Sequence, residues 1–261
     1  MDRYPAATAE RHRFRPHGRG SDVRLIDREA LDRVALFAAL DGEDLARLLK
    51  NADIRSYKAG TVLFEEGAEA DRLHVLLRGM VELYTSAGLR ECGILLLSAG
   101  DMFMPAASLF QEPYLNSARV VTRARIVELD SAIVRSEAIR SPELALRLSR
   151  ALAGQFRMAV RHIIDLKCRS APQRLAAFLL RLVDESRLAA SAELLAPKKS
   201  LAARLGMTAE TLSRTLQILA EEGLVVRGSR VEVRDRQRIE AFIGPRPYPK
   251  DAEAGLDVFA I

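Results

Sequence analysis

From Lys198 onward the apolar positions fall on two helical periods separated by a glycine. Leu201, Ala202 and Leu205 line one face of a short helix that stops at Gly206, a residue that supplies the φ > 0 conformation of a sharp turn. Leu212, Leu216 and Leu219 then recur at i, i+4 and i+7 in a second helix, with Thr208 placed to cap it. The polar positions of that helix are equally regular. Glu210, Ser213, Arg214 and Gln217 lie at i, i+3, i+4 and i+7, on a different face from the leucines. Gly223 ends the helix, and residues 224–226 and 231–233 predict two strands turned at Gly228-Ser229. The pattern predicts a helix-turn-helix followed by a β wing.

Upstream, the periodicity changes twice. Leu31, Val34, Leu36, Phe37, Leu40, Leu45, Leu48 and Leu49 predict two short helices broken at Asp41-Gly42. Between 54 and 129 the apolar runs are short: TVLF at 61–64, LHVLL at 73–77, VELY at 81–84, GILLL at 93–97 and ARIVELD at 124–130. They are punctuated by Gly60, Gly67, Gly79, Gly88, Gly93 and Gly100, the rhythm of an antiparallel roll or barrel. Ser141-Pro142-Glu143 starts a long helix, which runs to about Cys168. In it Leu152, Phe156, Ala159, Ile163 and Leu166 step by 4, 3, 4 and 3, the spacing of a coiled-coil seam. That stripe fits a dimer contact and packing on the roll equally well. A further helix follows from Ser170-Ala171-Pro172 to about Leu182.

The expected organisation is α+β. An arginine-rich N-terminal extension at 1–27 lacks apolar periodicity and is expected to be disordered. A β-roll covers 28–138, the long helix 139–168, the winged helix-turn-helix 169–243, and an irregular proline-containing tail 244–261.

Composition narrows the function. The 49% hydrophobic fraction suffices for ordinary cores, and no apolar run is long enough for a bilayer or a secretory signal, so a soluble cytoplasmic protein is expected. Cys92 and Cys168 cannot form a disulfide framework or a four-cysteine metal site between them. His12, His17, His74 and His162 are scattered over a tail, a strand and a helix, which argues against a cupin-like metalloenzyme; no metal site and no catalytic residues are assigned. The net charge of +5 permits a nucleic-acid partner, and much of the basicity clusters at Lys198, Lys199, Arg204, Arg214, Arg227, Arg230, Arg234, Arg236 and Arg238. On the polar face of the second helix, arginine can donate bidentately to guanine, glutamate can accept from cytosine and serine can bond either way. Glu210, Ser213 and Arg214 are therefore the candidate base readers, with Lys198, Lys199, Thr208, Thr211, Gln217, Arg227 and Arg230 as backbone or auxiliary contacts. A winged helix that binds protein is the alternative; Arg214 and a basic wing argue against it.

An N-terminal roll, a long helix and a C-terminal winged helix-turn-helix, in that order, resemble the CRP/FNR superfamily of bacterial transcription regulators. The likeness runs from about Leu36 to Phe242. It rests on YKAGTVLFEEGAEADRLHVLLRGMVELY at 57–84, GDMF at 100–103 and APQRLAAFLL at 171–180. The resemblance implies a sensor roll, a homodimer formed through the long helix, a palindromic double-stranded DNA operator and RNA polymerase as a partner. Glu210, Ser213 and Arg214 resemble the Glu-x-x-Ser-Arg of the FNR-like subset, which reads TTGA-type half-sites.

The sensor end resembles the family less closely. Cyclic-AMP-binding members carry a glutamate and an Arg-Ser pair in the cassette; here Pro105, Ala106 or Ala107 and Asn116-Ser117 stand at those places, so cyclic AMP is disfavoured. Two cysteines are too few for the family's 4Fe-4S cluster. Haem is the minor alternative, with Met104, His74 and His162 as conceivable ligands, although the cysteine and histidine of the haem-based members fall at Met104 and Ala106. Met102, Met104, Asn116 and Ser117 mark the candidate effector pocket. Cys168, between Lys167 and Arg169 at the junction of helix and DNA-reading domain, is the candidate redox residue.

Overall fold

In the computed structural model, residues 30–38, 40–87, 90–186, 190–194 and 197–245 are described. The expected N-terminal extension, and the tail beyond 245, lie outside them. A short helical turn at 30–32 leads to helix α1 (Gly42–Leu49), capped by Asp41, whose carboxylate accepts from the Asp44 N–H at 2.7 Å. The roll follows as β1 (Asp53–Tyr57), β2 (Val62–Phe64), β3 (Arg72–Ala87), β4 (Arg90–Leu97), β5 (Met102–Phe103), α2 (Pro105–Phe110) and β6 (Ser117–Asp130). Its pairings are all antiparallel, in the order β1-β6-β3-β4, with β2 also on β6 and β5 also on β3.

The runs LHVLL and VELY are not two strands. They are one sixteen-residue strand, β3, and the glycine between them is a bulge instead of a turn. Gly79 has φ 93°, and a Cβ there would lie 2.4 Å from the Arg123 carbonyl oxygen, so only glycine lets β3 and β6 meet at this point. The register slips on either side of it. Before the slip Leu76 faces the interior of the roll; after it Val81 and Leu83 do, and Met80 turns outward. The register shifts between Leu76 and Val81 have exchanged the two faces of the strand.

Three apolar clusters result. The first fills the roll with Phe64, Leu76, Val81, Phe103, Tyr114 and Ile126. The second sits between the roll and helices α1, α3 (Ser131–Arg140) and α4 (Pro142–Cys168), where Leu48, Leu73, Val134, Leu144 and Leu148 meet. Asp130 caps α3 and Ser141 caps α4. At 27 residues α4 is about 40 Å long. The third cluster is the core of the C-terminal domain, formed by α5 (Ala171–Glu185), β7 (Ser191–Glu193), α6 (Lys198–Arg204), α7 (Ala209–Glu221), β8 (Leu224–Arg227), β9 (Arg230–Val233) and α8 (Arg236–Ile243). A capping box of Ser170 and Gln173 starts α5. The wing has three strands, ordered β7-β9-β8, where two were expected. Among the described residues no helix is long and apolar enough to cross a membrane.

Candidate nucleic-acid interface and sensor interior

Helix α7 stands on an apolar base. Leu212 and Leu219 are fully buried, but the third buried position is Thr215, and Leu216 is only half-buried against the same core. The predicted leucine stripe is thus rotated slightly toward the i+3 position. Thr208 caps the helix as expected, its hydroxyl accepting from the Thr211 N–H at 3.0 Å. The turn before it uses Gly206 at φ 63°. The turn is clamped by a residue that sequence reasoning did not single out. Arg174 on α5 donates to the carbonyl oxygens of Leu205 at 3.0 Å and Arg169 at 2.9 Å. Nothing in the sequence sets it apart, since α5 carries a second arginine, Arg181.

Glu210, Ser213, Arg214 and Gln217 are all exposed on the outer face of α7. Arg214 pairs with Glu210 one turn earlier, and both side chains are about three-quarters exposed (75% and 74%). An exposed i,i+4 pair of this kind contributes little to stability, so it orders the two heads and opens at small cost. The Ser213 hydroxyl donates to the Ala209 carbonyl at 3.0 Å. Lys198 and Lys199 are exposed at the start of α6, and Arg227 and Arg230 at the wing tip; Thr211 is half-buried. Of the candidate auxiliary residues, all but Thr211 are thus exposed.

On α4, Leu144 and Leu148 are buried, whereas the seam opens to solvent: Phe156 is 70% exposed and Ile163 51%, with Ala159 and Leu166 exposed and Leu152 half-buried. Of the two readings of this stripe, packing on the chain's own roll does not account for its lower half. Cys168 is exposed at the end of the helix, and Arg169 beside it is buried and paired to Asp165 at 2.9 Å.

The roll interior is packed with rings. Phe64 stacks on Tyr114 with centroids 3.8 Å apart, and His74 on Phe103 at 5.0 Å. Burial, helped by the Arg72 charge, lowers the His74 pKa to about 3, which keeps the ring neutral; its Nδ1 has no hydrogen-bond partner. The Tyr114 hydroxyl donates to the Arg72 carbonyl at 2.8 Å. Met102 is buried, and Met104, at φ 58°, is the half-buried residue that starts α2. At the head of β6, Ser117 Oγ accepts from the Glu66 N–H at 3.0 Å, and the buried Asn116 Oδ1 has no partner. The nearby Arg119 guanidinium is held by Glu82 and Glu91, each at 3.0 Å, over the Tyr84 ring. At this end of β6 the side chains of Asn116 and Ser117 thus present an amide and a hydroxyl. Of the three conceivable haem ligands, His74 and Met104 both border the apolar cluster of the roll at Phe103. His162 stands apart on α4, where burial and the Arg204 and Arg174 charges lower its pKa. Among the described residues no three His, Cys, Asp or Glu side chains form a metal-holding group.

A Crp-like helix-turn-helix domain model matches residues 173–242, and a cyclic nucleotide-binding domain model matches residues 54–139. The chain is 30% identical over 212 residues to the cyclic AMP receptor protein of Thermus thermophilus, across 78% of this chain and 94% of that one. It is 27% identical over 217 residues to the CRP-like cAMP-activated global transcriptional regulator of Mycobacterium tuberculosis, across 81% of this chain and 97% of that one. The solved structure of a CRP/FNR family transcriptional regulator, also from Thermus thermophilus, has the same fold, with a TM-score of 0.58 at 24% identity over 74% of this chain and 100% of that one. Fold and interface together define a DNA-binding regulator that joins a cyclic-nucleotide-binding-type roll to a winged helix-turn-helix. The chain belongs to the CRP/FNR superfamily of transcription regulators.

Proposed function

We propose that the chain acts in the cytoplasm as a homodimeric transcription regulator that reads TTGA-like palindromic half-sites through Glu210, Ser213 and Arg214. The observation that carries this reading is the exposed polar face of α7, set on a buried apolar base and flanked by Lys198, Lys199, Arg227 and Arg230. TTGA pairs with TCAA, so each half-site offers a guanine to Arg214 and a cytosine to Glu210. The α4 stripe of Phe156, Ala159, Ile163 and Leu166, with Leu152 above it, joins the two copies, and RNA polymerase is the downstream partner that the family likeness suggests.

Signal enters through the roll, by an effector that is not cyclic AMP, or at the end of α4, by oxidation of the exposed Cys168, and shifts the population of two arrangements of the reading helices. The relatives named for cyclic AMP make this the sharper claim. It rests on Asn116 and Ser117, which offer an amide and a hydroxyl. Calorimetric titration with cyclic AMP is expected to give no micromolar binding; such binding refutes the exclusion. Haem remains the second reading of the sensor, and a Soret band in protein purified from haem-replete cells decides for it. The DNA reading itself is tested by gel shift on a TTGA palindrome, where affinity is expected to fall steeply with salt and to drop when the guanine step is changed.

A further inference from the structure

The edge strand of the roll, β4, is not left open. The C-terminal domain of the same chain lies against it, and the approach is closer than side chains normally permit: a Cβ added at Gly93 would stand 2.6 Å from the Ala203 Cβ on α6. Gly93 is not among the positive-φ glycines, so its missing side chain serves this approach and not a turn. Apolar packing continues on both sides. Met80 and Leu96 of the roll are buried in one cluster with Leu201, Ala202 and Leu205 of the C-terminal domain.

A charge follows immediately. Arg204, next to Ala203, lies 5.0 Å over the Phe178 ring of α5, and its charge acts both on Asp101, in the turn after β4, and on His162 in α4. Asp101 is wholly buried and holds that turn by accepting from the Ser98 N–H at 2.7 Å. Leu166 of α4 presses on the turn of the helix-turn-helix, 2.9 Å from where a Gly206 Cβ would lie. Roll, long helix and DNA-reading domain therefore meet around Ala203-Arg204. The only covalent link between α4 and α5 is Arg169-Ser170, both in extended conformation.

We propose that β4 is an intramolecular docking platform, with Gly93 as the notch that admits Ala203, and that the docked arrangement is the operator-competent one. This deepens the DNA-binding reading above and rests on it. The docked domain keeps its whole reading surface free, since Lys198, Lys199, Glu210, Ser213 and Arg214 are all exposed. A palindrome demands two recognition helices at a fixed separation of about 34 Å, and a two-residue link alone leaves each free to swing. Docking on the roll removes that freedom before DNA arrives, which lowers the cost of binding both half-sites at once.

The test is a reversible lock. Gly93→Cys and Ala203→Cys are combined in full-length protein whose two native cysteines are replaced by serine. A disulfide needs its Cβ atoms about 3.5–4.5 Å apart, so an opening of roughly 1 Å admits it. The expected result is an intramolecular bridge under mild oxidation and oxidised protein that binds a TTGA palindrome at least as tightly as its reduced form. Gly93→Leu, which fills the notch, is expected to weaken palindrome binding about tenfold and to leave binding to an isolated half-site within about twofold, the mark of lost preorganisation. Binding abolished by the lock and restored by reductant overturns the proposal, as does folded protein in which the thiols fail to bridge or in which Gly93→Leu reads the palindrome like wild type. Wild-type protein that ignores the palindrome instead overturns the DNA reading, and the platform's role falls with it.

Discussion

Helix α7 and the interior of the roll place their chemistry in opposite ways. In α7 the apolar residues point down into a core and the polar ones stand in solvent, so the structure of the free protein is already the structure of the reader. In the roll the candidate groups point inward: His74, Asn116 and Ser117 are buried, and His74 lies within an aromatic stack. Partner recognition at the first site needs one exposed ion pair to open; at the second it needs packed rings to move. The cost differs accordingly, since an exposed pair is worth a few tenths of a kcal/mol and displaced aromatic packing several times that. On the proposed reading the DNA-contacting face is thus preformed, whereas a ligand of the roll must be able to repack it.

The buried base of α7 carries the largest effect. Leu212→Ala, at a fully buried position, is expected to destabilise the C-terminal domain by about 2–5 kcal/mol and to abolish operator binding through unfolding, measured as a lowered denaturant midpoint. Arg214→Ala acts on the other face and separates the two functions of the helix. It is expected to leave stability within about 0.5 kcal/mol. On the cognate site it is expected to cost about 1–3 kcal/mol and to relax preference at the guanine, read by gel shifts on a series of single-base variants. Full discrimination by that variant removes Arg214 from the reading set.

Much of this was legible in the sequence because period and punctuation agree where one helix face is buried and the other is wet. The caps at Ser141, Ser170 and Thr208, the turn at Gly206 and the polar face of α7 follow from local rules alone. The failures share a cause, which is that the deciding partner is distant in the chain. Gly79 looked like a turn because a bulge and a turn use the same residue, and only the Arg123 carbonyl across the sheet distinguishes them. The strand β7 is three residues long and exists because Ala192 pairs with Val231. Thr215 carries no apolar signal, and the Arg174 clamp has no pattern to reveal it. The role of Gly93 is invisible until α6 is seen against it.

The buried sensor residues call for a different measurement. His74 has its folded-state pKa lowered from 6.5 to about 3, so the unfolded chain takes up a proton first as the solution is acidified. The stability that depends on the neutral ring is complete above about pH 6.5 and is lost as pH falls toward 3, at up to about 1.4 kcal/mol per pH unit. His74→Phe is expected to remove that part of the slope, and it also removes the unpartnered Nδ1, so at neutral pH the variant should be no less stable. Denaturant midpoints at pH 7 and pH 5.5, compared between the two proteins, show whether the ring titrates as its burial demands; parallel losses exclude His74 as the group responsible.

Ser213 carries the smallest effect. In the free protein the Ser213 hydroxyl is satisfied by the Ala209 carbonyl within its own helix, an exposed contact whose loss costs the fold almost nothing. On the reading proposed above, the same hydroxyl turns to a base or phosphate acceptor on DNA. Ser213→Ala is therefore expected to leave the denaturant midpoint unchanged and to weaken operator binding by about 0.5–1.5 kcal/mol, the worth of one neutral hydrogen bond. Because the serine reports only on the bound state, equal operator affinity for the two proteins removes Ser213 from the set of residues through which α7 meets DNA.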